Sequence, residues 1–144
     1  MAKKARTEET QQTMQEKYLE YQMLEQQTKQ LQEQLQTVAK QLEELEGIRD
    51  AIQRIEKTQK GTEILVPMSS GIFLKTALQD TSHLLVNVGD NVVVPKSFSD
   101  ALALIKKQQG DIQTFQENLV QNLQLMLMHQ QSVEAELLSM VQEE

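Results

Sequence analysis

Apolar residues recur at alternating spacings of three and four along the first third of the chain. Seven apolar residues and one threonine keep this rhythm, and they are Tyr21, Leu24, Thr28, Leu31, Leu35, Val38, Leu42 and Leu45. This spacing places one apolar stripe along a helix and is typical of the seam of a coiled coil. The surrounding residues are rich in Gln, Glu, Leu and Lys, without Pro, so residues 1–60 are predicted to form an N-terminal coiled-coil helix.

The apolar stripe changes its rhythm after Leu45. Its next residues are Ile48, Ile52 and Ile55. The three-residue spacing from Leu42 to Leu45 is therefore followed by a second one, from Leu45 to Ile48, next to Gly47. Such a step predicts a stammer, in which the coiled coil is locally overwound. Gly47 and Gly110 either soften the two predicted helices at a similar height or are simply tolerated, at a cost of about 1 kcal/mol each.

The three-four rhythm returns in the last part of the chain, where residues 97–144 are predicted to form the C-terminal coiled-coil helix. Nine of its twelve stripe positions are apolar, and the twelve are Leu102, Ile105, Gln109, Ile112, Gln116, Leu119, Leu123, Met126, Gln130, Val133, Leu137 and Met140. Either Ser97 or Ser99 can cap the start of this helix. Ser97 with Asp100 three residues later resembles a capping box.

The middle of the chain has a different composition, because residues 61–96 hold both prolines, three of the five glycines and short β-branched clusters. Four strand candidates lie at 62–66, 72–78, 83–88 and 92–94, with turn-forming residues between them, and predict two β-hairpins. The predicted fold is mainly α with a small β module. Because isolated hairpins are marginal in water, we expect other chains to complete the sheets, and a self-contained monomeric sheet is the alternative.

A long antiparallel two-helix coiled coil, joined by the two β-hairpins, would let each apolar stripe cover the other. If partner numbers add to 154, Leu35 faces Leu119 and Lys57 faces Ser97, where the strands begin and end. Registers seven higher or lower also bring the two stripes together. Polar residues interrupt the stripes and can fix the register, and they are Lys17, Gln109, Gln116 and Gln130.

The net charge and composition exclude several classes of function. A formal net charge of −7 argues against nucleic-acid binding, which depends on clustered Lys and Arg. Lys3, Lys4 and Arg6 form a basic cluster that we interpret as a disordered tail, and no apolar run follows it as in a secretory signal. No apolar stretch approaches the roughly 18 residues of a membrane span, and the chain has no Cys. These features fit a cytoplasmic protein with no nucleic-acid or membrane partner.

The sequence carries no motif for catalysis, metal binding or a cofactor. His83 and His129 lie far apart and lack companion ligands at metal spacing. Ser69-Ser70-Gly71 lacks the flanking glycine of a nucleophile elbow, and residues 61–62 lack the ending of a phosphate-binding loop. We therefore expect a protein that is not an enzyme, with no catalytic residues, no metal and no cofactor.

Four segments resemble the α-class subunits of prefoldin. They are Glu-Ile-Leu-Val-Pro at 63–67, Gly-Ile-Phe-Leu-Lys at 71–75, Val-Asn-Val-Gly at 86–89 and Ser-Phe-Ser-Asp-Ala at 97–101. The resemblance covers the whole chain in order, and two hairpins favour the α class because β-class subunits have one. Ser69-Ser70-Gly71 departs from the Gly-Ala-Gly turn that many members of the family have at this place.

The resemblance implies a hexamer of two α-class and four β-class subunits, whose hairpins build a double β-barrel with coiled-coil arms. It also implies an ATP-independent molecular chaperone, or holdase. Such a chaperone captures unfolded client proteins between the arm tips and passes them to a group II chaperonin. The alternative function is a structural coiled-coil adaptor of a multisubunit assembly, whose arms bind one folded partner.

Alternating strand residues are the predicted oligomerisation surface, because they place apolar side chains on one face of the hairpins. The residues expected on this apolar face are Ile64, Val66, Phe73, Leu84, Val86, Val88, Val92 and Val94.

Client binding, which the resemblance assigns to the arm tips, is expected at apolar residues that exceed what a two-helix seam buries. Most lie near the chain ends, and one lies in the apolar run 126–128. These residues are Met14, Tyr18, Met128, Leu137, Leu138, Met140 and Val141. The alternative is that these side chains only close the seam, and it applies chiefly to Met14, Leu137 and Met140.

Overall fold

The computed structural model describes residues 2–142, with side chains described from residue 7 onward. The elements, in chain order, are helix α1 (Ala2–Glu56), strands β1 (Glu63–Ser69), β2 (Ile72–Ala77), β3 (His83–Gly89) and β4 (Val92–Ser97), and helix α2 (Phe98–Gln142). Strand β1 pairs antiparallel with β2, and β3 pairs antiparallel with β4, as two separate two-stranded sheets. The predicted fold class, two long helices joined by two β-hairpins, is therefore confirmed.

Helix α1 begins earlier than expected. It starts at Ala2, so the segment interpreted as a disordered tail is helical over residues 2–6. Ala, Lys and Arg are strong helix formers, and neither Gly nor Pro separates them from the helix that follows. Local propensity thus favours extending the helix over fraying it.

Residues 2–40 and 113–142 are the described part of one compact unit. Its most buried residues are Leu24, Thr28, Val38, Leu119 and Val133. Half-buried residues continue this seam at spacings of three and four on both helices, as the sequence predicts. Three polar pairs join α1 to α2 in this unit, and their residue numbers add to between 149 and 158, around the predicted 154.

Residues 41–112 form the second compact unit, which holds the end of α1, both hairpins and the start of α2. The seam departs from the prediction at Ile48. Ile48 is 45% exposed, whereas Arg49 takes the half-buried seam position. The two successive three-residue spacings therefore run from Arg49 through Ile52 to Ile55, farther along α1 than predicted. An arginine can occupy such a position because its aliphatic stem covers apolar surface while its guanidinium stays in water.

The start of α2 is capped by Ser97 rather than Ser99. The backbone N–H of Asp100 donates a hydrogen bond to Ser97 Oγ over 3.1 Å, which satisfies one of the N–H groups left free at a helix start. The next residues pack tightly, because Phe98 and Ala101 are both buried. Ser97 therefore fixes the point where the second hairpin passes into the helix.

Both hairpins extend beyond the strands that the sequence predicts. Strand β1 continues through Pro67 to Ser69, and β4 continues through Pro95 to Ser97. Proline is tolerated at such places because each strand of a two-stranded sheet is an edge strand, with one row of backbone groups unpaired. The second hairpin turns at Asp90 and Asn91, both with positive φ, as a tight two-residue turn requires.

The first hairpin places Phe73 on a different face from the one expected. Phe73 pairs with Pro67, whereas Leu74 pairs with Val66, so Leu74 shares the face of Ile64 and Val66. The cause is an irregularity between Pro67 and Ser69, which leaves one extra residue in β1. A β-bulge of this kind reverses which side chains share a face beyond it. The expectation that Phe73 continues the apolar face of Ile64 and Val66 is wrong.

Candidate functional site

An open groove lies in the first unit, where α1 begins and α2 ends. It has a volume of about 680 Å³ and is enclosed by residues 14–21 of α1 and residues 134–141 of α2. Its lining is mostly apolar and consists of Met14, Gln15, Tyr18, Leu19, Tyr21, Glu134, Leu137, Leu138 and Val141. Grooves of this kind, with apolar walls and few polar groups, are suited to binding other molecules.

Next to the groove, the seam of α1 carries a lysine between Met14 and Tyr21. Lys17 is half-buried at this seam position, and its Nζ lies 2.7 Å from Glu136 Oε2 and 3.6 Å from Glu20 Oε2. The hydrogen bond to Glu136 is the main cause that raises the pKa of Lys17 above its usual value. A lysine amine directed to carboxylates leaves less apolar bulk in the seam than a leucine would.

Apolar residues beside the Lys17 position are largely exposed. Tyr18, Leu19, Leu138 and Val141 are all more than half exposed. By contrast, Val133, one turn before Leu137, is 2% exposed. The two helices therefore pack closely at Val133 and leave apolar surface uncovered beyond it. Contiguous exposed apolar surface is typical of an interaction site.

Five of the seven residues predicted to bind clients line the groove, and they are Met14, Tyr18, Leu137, Leu138 and Val141. Met140 does not line the groove and is half-buried in the seam, as in the alternative that it closes the seam. Met128 is largely exposed but lies elsewhere on α2. The prediction missed Leu19 and assigned Tyr21 only to the seam. The run Tyr18-Leu19 offered a signal for Leu19, because two successive apolar residues cannot both face one partner helix.

Two further polar contacts join the helices next to the groove. His129 Nε2 lies 3.1 Å from Glu20 Oε1 on the exposed surface. Farther in, Thr28 Oγ1 donates a hydrogen bond to Gln130 Oε1 over 3.3 Å. Each contact joins a residue of α1 to a residue of α2, so they tie the two helices together at the inner end of the groove.

The hairpins carry a second set of exposed apolar side chains. Of the residues predicted for oligomerisation, Ile64, Leu84, Val86 and Val94 are half-buried, whereas Val66, Phe73, Val88 and Val92 are exposed. Additional apolar residues that the prediction did not include are also exposed, namely Leu65, Met68, Ile72, Leu74, Leu85 and Val93. Both hairpins therefore present more apolar surface than a two-stranded sheet can bury by itself.

The histidines take part in local contacts. Asp80 Oδ1 accepts hydrogen bonds from the backbone N–H groups of Ser82 and His83, and His83 Nδ1 lies 3.7 Å from Asp80 Oδ2. The N–H of Ser82 contributes most to lowering the pKa of Asp80.

Within the described part of the chain, no three His, Asp or Glu side chains lie close enough together to hold a metal ion. Over the same part, neither helix is long and apolar enough to cross a bilayer.

Comparison with known proteins shows the family of the chain. The family model described as "Prefoldin subunit" matches residues 24–143. The chain belongs to the prefoldin family. Prefoldin subunits form a chaperone family and not a known enzyme family, so the chain is a prefoldin-type chaperone subunit.

Individual relatives carry the same name across archaea. The chain is 28% identical over 104 residues to prefoldin subunit alpha of Thermofilum pendens, a match that covers 72% of this chain and 81% of that protein. It is 25% identical over 131 residues to prefoldin subunit alpha of Archaeoglobus fulgidus, with 91% of this chain and 96% of that protein covered. The resemblance to the α class is therefore confirmed.

A solved structure shares the fold. A chain in the cryo-EM structure of filamentous PFD from Methanocaldococcus jannaschii matches with a TM-score of 0.71 and 18% sequence identity. The match covers 80% of this chain and 95% of that chain. At this identity the likeness shows the fold, which agrees with the helix, hairpin, hairpin, helix order described above.

Proposed function

We propose that the protein is an ATP-independent holdase that captures unfolded proteins in the apolar groove formed by residues 14–21 and 134–141. In this proposal it works in the cytoplasm, within a hexamer of two α-class and four β-class subunits. It then passes its clients to a group II chaperonin. Membership of the prefoldin family supports the general role, and the groove supports its location on the chain.

The observation that carries the proposal is the open, mostly apolar groove, with an exposed wall of Tyr18, Leu138 and Val141. Unfolded chains differ from folded ones chiefly in the apolar side chains that they expose, and burial of such side chains contributes roughly 25 cal/mol per Å². Methionine and tyrosine at the rim adapt to varied partners, because one is flexible and the other has an apolar ring with a polar end. Nothing in this mode of binding requires a nucleotide.

The exposed apolar side chains of the two hairpins support the assembly part of the proposal. Leu65 and Leu85 are 58% and 75% exposed, and Met68 and Phe73 are similarly uncovered. Strands of partner subunits would cover these side chains and pair with the free edges of the hairpins. We therefore propose an oligomerisation surface on both faces of each hairpin, because Leu65 and Leu85 lie on the faces opposite to Val66 and Val86.

The holdase role is tested by measuring how well the assembled protein suppresses aggregation of a chemically denatured client. Leu138→Gln makes the groove wall polar, and we expect the concentration needed for half-protection to rise by about tenfold. The matched control is Leu125→Gln, because Leu125 is similarly exposed on the same helix but lies outside the groove. Equal protection by the two variants would remove the groove from client binding.

The same preparation distinguishes a holdase from a structural adaptor. A holdase protects several unrelated denatured clients and binds none of them once they are folded. An adaptor forms a saturable complex with one folded partner and gives no general protection.

Native mass spectrometry with and without a single-hairpin partner subunit tests the proposed stoichiometry. An assembly made of this chain alone would contradict it.

A further inference from the structure

Glu134 is a carboxylate in a mostly apolar groove, and it has no partner among residues 7–142. It lines the groove beside Leu137 and Leu138, and no residue within 7–142 forms an ion pair or hydrogen bond with its carboxylate. The residue before it, Val133, is buried, so the backbone at Glu134 is held close to the seam. A carboxylate in this place is available to a cation of a bound molecule.

Two of the carboxylates next to the groove are already engaged. Glu136 and Glu20 both contact the amine of Lys17, and Glu20 also contacts His129. Lys17 is the only lysine or arginine among residues 14–21 and 134–141, and its amine forms ion pairs with these two glutamates. The free charge on the groove wall is therefore the negative charge of Glu134.

Two tyrosines of the groove lining offer aromatic rings to a cation. Tyr18 and Tyr21 line the same groove as Glu134, and the faces of aromatic rings attract Lys and Arg side chains. Apart from Gln15, the remaining lining is apolar, as the aliphatic stems of Lys and Arg require. Arginine is favoured over lysine because its planar guanidinium stacks on rings and pairs with a carboxylate through two hydrogen bonds.

We propose that the groove selects, among unfolded polypeptides, segments in which an arginine or lysine lies beside large apolar residues. The apolar side chains fill the groove between Met14 and Leu138, and the cation reaches Glu134 and the tyrosine rings. This inference rests on the proposed function, because it names the class of client segment that the same groove takes. It assigns to Glu134 a role in selectivity, separate from the apolar contacts that supply most of the binding.

Three short fluorescent peptides test the proposal on the full-length assembled protein. They share the same apolar residues and carry Arg, Gln or Glu at the polar positions. We expect the Arg peptide to bind about three- to fivefold more tightly than the Gln peptide at low salt, and the Glu peptide to bind least tightly. Raising the ionic strength from about 0.01 M to about 1 M shortens the screening length from roughly 30 Å to roughly 3 Å, so the preference should shrink.

Two variants locate the preference. Glu134→Gln should remove most of the preference for the Arg peptide and leave binding of the Gln peptide unchanged. Glu117→Gln is the matched control, because it removes a carboxylate of the same helix that lies outside the groove. An equal loss in both variants would overturn the assignment to Glu134, since it would indicate attraction to the overall negative charge.

The outcomes also separate this inference from the proposed function. If all three peptides bind equally and the protein still suppresses aggregation, the selectivity is overturned and the holdase function stands. If no peptide binds and no client is protected, the proposed function fails, and the inference fails with it.

Discussion

Thr28 on α1 donates a hydrogen bond from Oγ1 to Oε1 of Gln130 on α2, across a seam in which Thr28 is 7% exposed. A polar pair at a buried seam position favours the register that lets both partners bond, because other registers leave a polar group unsatisfied. The pair is therefore a reason why the two helices of this unit keep one alignment.

Removing one partner of this pair should destabilise the protein. Thr28→Val keeps the shape but leaves the Gln130 oxygen without its donor, so the free energy of unfolding should fall by about 1 kcal/mol. Thr28→Val combined with Gln130→Leu should recover that loss or exceed it, because an apolar pair fits the seam without a desolvation cost. Chemical denaturation of the four proteins of this cycle measures the coupling.

The same double variant should also loosen the register. The chain has no cysteine, so a disulfide between Leu31→Cys and Leu123→Cys, whose numbers add to the predicted 154, reports that alignment. We expect a lower yield of this cross-link in the apolar double variant than in the parent. An unchanged yield would show that the Thr28–Gln130 pair does not set the register.

The Lys17 ion pairs predict a dependence of stability on alkaline pH. The bond to Glu136 holds the pKa of Lys17 above 10.5 in the folded chain. Because the folded pKa is the higher one, the stabilisation is fully present below pH 10.5 and is lost as the pH rises through the folded value. Lys17→Met should therefore lose less stability than the parent over this alkaline range.

Urea denaturation on both sides of this pH range measures the effect. Lys29→Met is a suitable control, because Lys29 is an exposed lysine of the same helix outside the Lys17 ion pairs. The control should lose stability in parallel with the parent. If Lys17→Met also follows the parent, the contacts with Glu136 and Glu20 contribute nothing to the folded state.

Two glycines of the chain should respond in opposite directions to replacement by alanine. Gly47 lies within α1, and a Cβ added there would meet nothing within 4 Å, so Gly47→Ala should raise the free energy of unfolding by about 0.5–1 kcal/mol. Gly71 has φ +79°, which L-residues rarely adopt, so Gly71→Ala should lower it. A stabilising Gly71→Ala would contradict the turn conformation.

The cap of α2 predicts a difference between two neighbouring serines. Ser97→Ala removes the acceptor of the Asp100 N–H and should cost about 1 kcal/mol, within the usual range for such caps. Ser99→Ala should have little effect, because Ser99 makes no capping bond. Thermal denaturation of the two variants decides between them, and equal losses would mean that Ser97 does not cap the helix.

The sequence predicted features that depend on neighbouring residues in the chain. All twelve predicted stripe positions of α2 are buried or half-buried, because a helix repeats its faces every 3.6 residues whatever it packs against. Five groove residues were predicted in the same way, since apolar residues next to an already complete stripe have no place in a two-helix seam.

The misplaced features depend on information that is not local. The face of Phe73 is decided by one extra residue near Pro67, and no property of that segment alone distinguishes a bulged hairpin from a regular one. Arg49 takes the seam position instead of Ile48, although the more apolar residue lies one position earlier. In both cases pairing with a second element decides the outcome, and the sequence of one element does not reveal it.

Site-specific photo-cross-linking to a denatured client tests the central claim most directly, because it asks which surface the client contacts. A photoreactive residue at position 138 lies in the groove, and one at position 125 lies outside it with similar exposure. We predict abundant cross-links to unfolded client from position 138 and few from position 125. Equal yields at both positions, or cross-links from position 125 alone, would contradict the claim that the groove where α1 begins and α2 ends binds unfolded proteins.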